Sequence, residues 1–148
     1  EALSEQNVML IVMQGGGRGH RGLMRQAAAE AELGITGVDY AVAETGSAVL
    51  LPRRHVSRLT SLLPPVHLAI VRPQEIVDRL EDLLLLRRLA FYQGSGEMGS
   101  YLNFITGPSR TADIEQQLVI GVHGPKEAHM LIWDDAGAAG VYAGPAPL

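Results

Sequence analysis

Gly34-Ile35-Thr36-Gly37-Val38-Asp39-Tyr40-Ala41-Val42-Ala43-Glu44-Thr45-Gly46 is the stretch on which the fold turns. Its apolar middle, Val38 to Ala43, reads as a buried strand, and Glu44-Thr45-Gly46 as the turn that ends it. On the near side, Leu23 to Leu33 is alanine-rich and dotted with Glu, the composition of a helix, and Gly34 suits its end. On the far side, Ser47 to Leu51 reads as the next strand.

Outward from there, strands and helices keep alternating, which marks an α/β domain built on a parallel sheet. Val8 to Met13 reads as a first buried strand, followed by glycine-rich residues 15–22. Val56 to Leu63 reads as a short helix stopped by Pro64 and Pro65, and Val66 to Val71 as a buried strand. A helix starting at Pro73 would place Ile76, Val77, Leu80, Leu83 and Leu84 on one face. Tyr101 to Ile105, Leu118 to Val122 and His129 to Trp133 complete the strands, and the small residues and prolines after Asp134 read as irregular. With 148 residues, no repeat and no linker, one domain spanning 1–148 is expected.

Composition narrows the function. Apolar residues make up 47% of the chain and charged residues 19%, which is globular. A net charge of -4 argues against nucleic acid as the main partner. The absence of cysteine excludes cysteine-ligated clusters and thiolate zinc within this sequence. No metal-ligand spacing links His20, His55, His67, His123 and His129. No apolar run reaches the roughly 20 residues a membrane helix needs. No leader is read, so a cytoplasmic protein is expected, and the start at Glu1 rather than Met reads as lost amino-terminal residues.

A second stretch carries the candidate site: Thr106-Gly107-Pro108-Ser109-Arg110-Thr111-Ala112-Asp113-Ile114-Glu115, continuing to Gly121-Val122-His123-Gly124-Pro125. Thr106-Gly107-Pro108 halts a strand, and Ser109 and Thr111 can cap a helical turn that holds Asp113 and Glu115. Amides, hydroxyls and one guanidinium converging at a strand's carboxyl end would bind a small anion. Thr45, Gly46, Thr106, Gly107, Ser109, Arg110, Thr111 and Asp113 are the expected binding residues, with Arg110 as the charge partner. Alternatively, Arg110 pairs with Asp113 or Glu115 in a capped turn. Glu44 and His123 are the catalytic candidates, as base or nucleophile and as proton shuttle. Each also has a structural reading, Glu44 paired to an arginine and His123 as a strand-end hydrogen-bonder.

The two stretches together resemble the signature blocks of the lactate-utilisation protein C family, the LUD-domain proteins. The resemblance runs from about Gly34 to about Trp133 and is weak before Gly34. It implies a three-layer, mostly parallel Rossmann-like sheet, similar to the sugar-isomerase and CoA-transferase group. It also implies a role beside two iron–sulfur partner proteins in oxidising L-lactate to pyruvate. This chain would bind no cofactor itself and the partners would carry the clusters.

Competing readings stay open. Gly17-Arg18-Gly19-His20-Arg21-Gly22 matches the G-x-G-x-x-G dinucleotide pattern, with Glu44 about 20 residues on as the ribose acid. That favours a stand-alone nicotinamide-dependent oxidoreductase; the fold analogy favours an acyl- or CoA-transferase-like enzyme with Glu44 as nucleophile. Against the first, Gly94-Ser95-Gly96-Glu97-Met98-Gly99 also matches in the wrong context. A third reading is a structural adaptor subunit. The Leu83 to Leu86 run would be buried inside the domain, or would pack a second protomer or partner.

Overall fold

The computed structural model describes residues 8–12, 20–51, 58–95, 101–114, 117–134 and 138–142. The order is α1 (His20–Glu30), β1 (Leu33–Gly37), β2 (Tyr40–Val42), β3 (Ser47–Leu50), α2 (Leu59–Leu62), β4 (Val66–Val71), β5 (Ile76–Val77), α3 (Leu80–Ala90), β6 (Asn103–Ile105), β7 (Arg110–Ile114), β8 (Gln117–Ile120), β9 (Glu127–Asp134) and β10 (Ala138–Tyr142).

The α/β class holds, and its core is parallel. In the first sheet β1, β4 and β9 run parallel and β10 closes the edge antiparallel, in the order β1-β4-β9-β10. The other strands form a second sheet, β5-β2-β3-β6, and a separate β7-β8 hairpin. Within the second sheet only β2 and β5 are parallel.

The apolar stretch around Val38 makes two strands in different sheets, where the sequence suggests one over Val38 to Ala43. The break falls at Val38 and Asp39. Asp39 N–H donates to the Val49 carbonyl (2.9 Å) and its carboxylate accepts from Leu51 N–H (2.7 Å), which commits the chain to the second sheet. Gly34 is not the end of the helix but lies inside β1. α1 has already stopped at Glu30.

β4 matches its expected bounds, and its pleat sets the two faces of the first sheet. His67, Ala69 and Val71 are buried, while Val66, Leu68 and Ile70 on the other face are half-buried. The segment after β4 departs from a single helix. Pro73–Glu75 is one 3-10 turn, Ile76 and Val77 pair with β2, and α3 starts only at Leu80. Two acids explain the interruption. Glu75 accepts from Arg72 N–H (2.8 Å) and Asp82 from Arg79 N–H (3.1 Å), so each start is satisfied separately. α3 then lays Leu83 on Val42 and Val49, flanked by Tyr40 and Val77, to make the core cluster of the second sheet.

Three expectations fail in informative ways. Residues 8–12 pair with no sheet and are exposed, because an apolar run becomes a strand only where an edge receives it. Residues 138–142, expected to be irregular, form β10, because the exposed edge of β9 supplies every pairing partner. Arg110 to Ile114, expected as a helical turn, is strand β7 paired to β8. The glycine-rich stretch Gly94 to Gly99 is described only to Ser95, in a π-helical turn that Gly94 leaves at positive φ (97°).

Candidate functional site

Four of the candidates, Thr45, Gly46, Thr106 and Gly107, meet where the ends of β3 and β6 pair. Antiparallel pairing sets Ala48 against Ile105, so the next residues along, Ser47 and Thr106, also face one another. Their hydroxyls lie 2.6 Å apart, and the Thr45 hydroxyl lies 2.7 Å from Ser47 on its other side. A chain of three hydroxyls thus joins the first signature stretch to the second. It has three protons and uses two in its own bonds. The third is left at whichever end accepts from Ser47, Thr45 or Thr106, to donate to an incoming oxygen; where both ends donate, it stays on Ser47. Ser47 is buried and holds the middle. Sequence reasoning missed it, since its role depends on the β3–β6 register.

Gly46 (φ 62°) and Gly107 (φ 92°) bracket this chain of hydroxyls, each in a backbone region that disfavours a side chain. Replacing Ser47 by alanine should strand two hydroxyls and cost about 1–2 kcal/mol. A urea melt would register this as a lower midpoint at unchanged slope; an unaltered midpoint would mean that the hydroxyl chain carries no stability.

Ser109 organises the second part. Its N–H donates to the Pro125 carbonyl (2.8 Å), its carbonyl accepts from Gly121 N–H (2.9 Å), and its hydroxyl accepts from His123 N–H (3.3 Å). Gly124 lies so close that a Cβ there would sit 3.2 Å from Ser109 Cβ. These bonds explain why Ser109 caps no helix: cross-chain pairing has taken the groups that a cap would use. They also bring T-G-P-S and G-V-H-G-P together.

The position differs from the expected one. Lys126 and Glu127 N–H both donate to the Pro65 carbonyl (2.7 and 3.1 Å), just before β9 and β4 begin. The Ser109 loop is therefore fastened at the amino-terminal edge of the parallel core, not outside its carboxyl ends. The binding rule for carboxyl ends of open sheets does not apply. Any anion affinity must come from the hydroxyls, local amides and Arg110.

Arg110 is exposed at the start of β7 and forms no ion pair among the described residues. Thr111 is half-buried beside it, and Asp113 follows on the same strand. Glu44 is exposed in the turn, its N–H donating to the Asp78 carbonyl (3.0 Å), and its carboxylate makes no ion pair among the described residues. His123 is exposed, and only its backbone is tied to Ser109. No contact joins Glu44, His123 and Arg110 to one another among the described residues. His129 pairs with Glu127 (3.1 Å). Among the described residues no group of three or more His, Asp or Glu side chains is placed to hold a metal. The glycine loop falls largely outside the described residues, and Gly22 lies within α1.

Comparison with known proteins reads the same two stretches. The sequence model of the LUD domain matches residues 4–133. The chain belongs to the LUD domain family. Among similar LUD proteins is a "Lactate utilization protein C" of Halalkalibacterium halodurans, 42% identical over 111 residues, covering 74% of this chain and 47% of that one. The protein of the same name in Bacillus subtilis is 42% identical over 108 residues, covering 72% of this chain and 45% of that one. The LUD chain thus spans about half the length of these relatives. A crystal structure of a DUF162 family protein from Deinococcus radiodurans is similar at a TM-score of 0.49 and 23% identity, over 72% of this chain and 56% of that one. No helix among the described residues is long and apolar enough to cross a membrane.

Proposed function

We propose that this LUD-domain chain works in L-lactate utilisation and binds a small carboxylate at the loop 106–113. The relatives' shared name supports the process. The observation that carries the site is the hydroxyl chain Thr45–Ser47–Thr106, which binds the two signature stretches into one surface with a proton to donate. Arg110 is the charge partner, since no described acid neutralises it. Ser109 has its hydroxyl proton left to give, because its oxygen accepts from His123 N–H. Thr111, Gly107 and Gly46 complete the lining, and Glu44 and His123 are the groups that can move a proton near the bound acid. With no cysteine in the chain, electrons would pass to iron–sulfur clusters on partner subunits.

The test is a thermal-shift and calorimetric titration of the chain with L-lactate, pyruvate, phosphate, CoA and NAD(H). A ligand at a hundred times its Kd adds about 2.7 kcal/mol of stability. L-Lactate or pyruvate should stabilise the protein. Arg110→Ala should weaken that binding roughly tenfold or more while leaving the unliganded melting temperature in place. Equal binding by wild type and Arg110→Ala would remove Arg110 from the site. Stabilisation by a nucleotide and by no small acid would overturn the proposal in favour of a dinucleotide enzyme.

A further inference from the structure

Helix α3 carries the sequence Leu80-Glu81-Asp82-Leu83-Leu84-Leu85-Leu86-Arg87-Arg88-Leu89-Ala90. It packs on β2 and β5, and of its leucines Leu83 alone is fully buried. Leu85 is 65% exposed and Tyr92, just beyond the helix, 75%; Leu84 and Leu89 are about half exposed. Glu81, Leu85, Arg88 and Tyr92 follow one another at intervals of four, three and four, the spacing of a helix-pairing stripe, on the side away from Leu83.

The charges on that stripe suit the helix dipole, Glu81 in the first turn and Arg88 in the last, but they do not pair with each other within the helix. An acid and a base support each other at three or four residues' separation. Glu81 and Arg88 are too far apart for that, and inside the helix their neighbours at those distances are Leu84 and Leu85. Neither makes an ion pair among the described residues. The segment Leu80 to Leu89 is, however, a palindrome with its charges reversed: read backwards, leucines fall on leucines and acids on arginines. A second copy laid antiparallel therefore meets Glu81 with Arg88 twice over, two helical turns apart on one face, with Leu84 and Leu85 at the centre. The antiparallel arrangement also opposes the two helix dipoles favourably. Asp82 and Arg87 fall into the same register, but Asp82 already accepts from Arg79 N–H, so the pairing rests on Glu81 and Arg88.

We propose that α3 is the seam of a twofold-symmetric dimer of this chain, with two α3 helices antiparallel and Glu81 of each copy paired to Arg88 of the other. Such a contact is self-complementary, as a twofold interface must be. The apolar surface that α3 leaves open is its contact area, and the charge palindrome fixes its register.

Sedimentation of the intact chain tests this. Wild type should be dimeric in the micromolar range. Glu81→Arg and Arg88→Glu each set like charges against one another twice and should weaken self-association roughly tenfold or more. Both positions face solvent, and circular dichroism should show wild-type helix content. An equimolar mixture of the two variants puts arginines opposite glutamates throughout and should restore the dimer as a heterodimer. The doubly exchanged variant, Glu81→Arg with Arg88→Glu, should again pair with itself. A wild type that stays monomeric, as it would if this face met a different partner, overturns the proposal. So does a mixture of folded variants that fails to associate.

Discussion

Gly34→Ala should destabilise the protein by about 3 kcal/mol or more and lower its melting temperature by about 10 °C. A Cβ at Gly34 would lie 1.8 Å from the Thr60 carbonyl oxygen and 3.0 Å from Pro64 Cγ. The first of these atoms is backbone of α2 and cannot rotate away. The added methyl must lift α2 off β1, and with it the buried Ser61 and Pro64 that lie over the parallel sheet. Gly37, at the other end of the same strand, is the control, because a Cβ there meets nothing within 4 Å. Gly37→Ala should stay within about 1 kcal/mol of wild type. Paired thermal melts decide the matter: equal stability of the two variants would mean that α2 is free to shift.

The second large effect is a loss of stability in mild acid, centred on His67. Its ring is buried in the middle strand of the parallel core, and Nε2 lies 2.9 Å from the Thr36 hydroxyl. Burial pushes its pKa down from 6.5 to about 4. Nδ1 is buried with no hydrogen-bond partner, so a proton added there would sit on an N–H with nothing to accept it. The unfolded chain protonates this histidine near pH 6.5 and the folded chain only near pH 4. The stability it confers is therefore complete above about pH 6.5 and drains away as pH falls toward 4. The shift corresponds to about 3 kcal/mol, with no further loss from this group below that. Urea midpoints at pH 7, 5.5 and 4 should trace this decline. His67→Gln, which keeps an amide near Thr36 and does not titrate, should flatten it, and an undiminished decline in that variant would place the acid sensitivity elsewhere.

Alternation and turn chemistry made much of the architecture legible in the sequence. Val66 to Val71 is an almost unbroken apolar run of strand length, and the prolines before it fix its start. Ser47 to Leu51 is equally plain, and β3 takes all of it but the last residue. What the sequence could not reveal is which edge receives each segment. Val8 to Val12 is as apolar as β4 yet pairs with no strand among the described residues, while the alanines and glycine of β10 make a strand because β9 is open beside them. Gly34 misled for a related reason. Glycine ends helices by adopting positive φ, but here its service is to be small under Thr60, a contact across 26 residues that no local pattern announces. Ser109 likewise has the composition of a cap and the bonds of a cross-link.

The candidate site was legible as two stretches but not as one place. Thr45 and Thr106 could be named from their turns. Ser47, which joins them, looks like an ordinary strand residue until β3 and β6 are aligned. Arg110 stands out in the sequence as the lone cation of its loop, and its exposure on β7 leaves its charge available.

The order of strands in the parallel core also bears on how the chain comes together. β1 and β4 pair early in the chain, but the far edge of β4 is closed only by β9, so Val66 waits for Glu127 and Val71 for Ile132. β5, α3, β6 and the β7–β8 hairpin lie between them in the sequence. A chain emerging from the ribosome therefore carries β4 as an open, apolar edge until β9 has been made. Such long-range parallel closure is slow, and open edges are where chains join one another. The Pro65 carbonyl, holding the amides of Lys126 and Glu127, marks the point from which the last core strand zips shut.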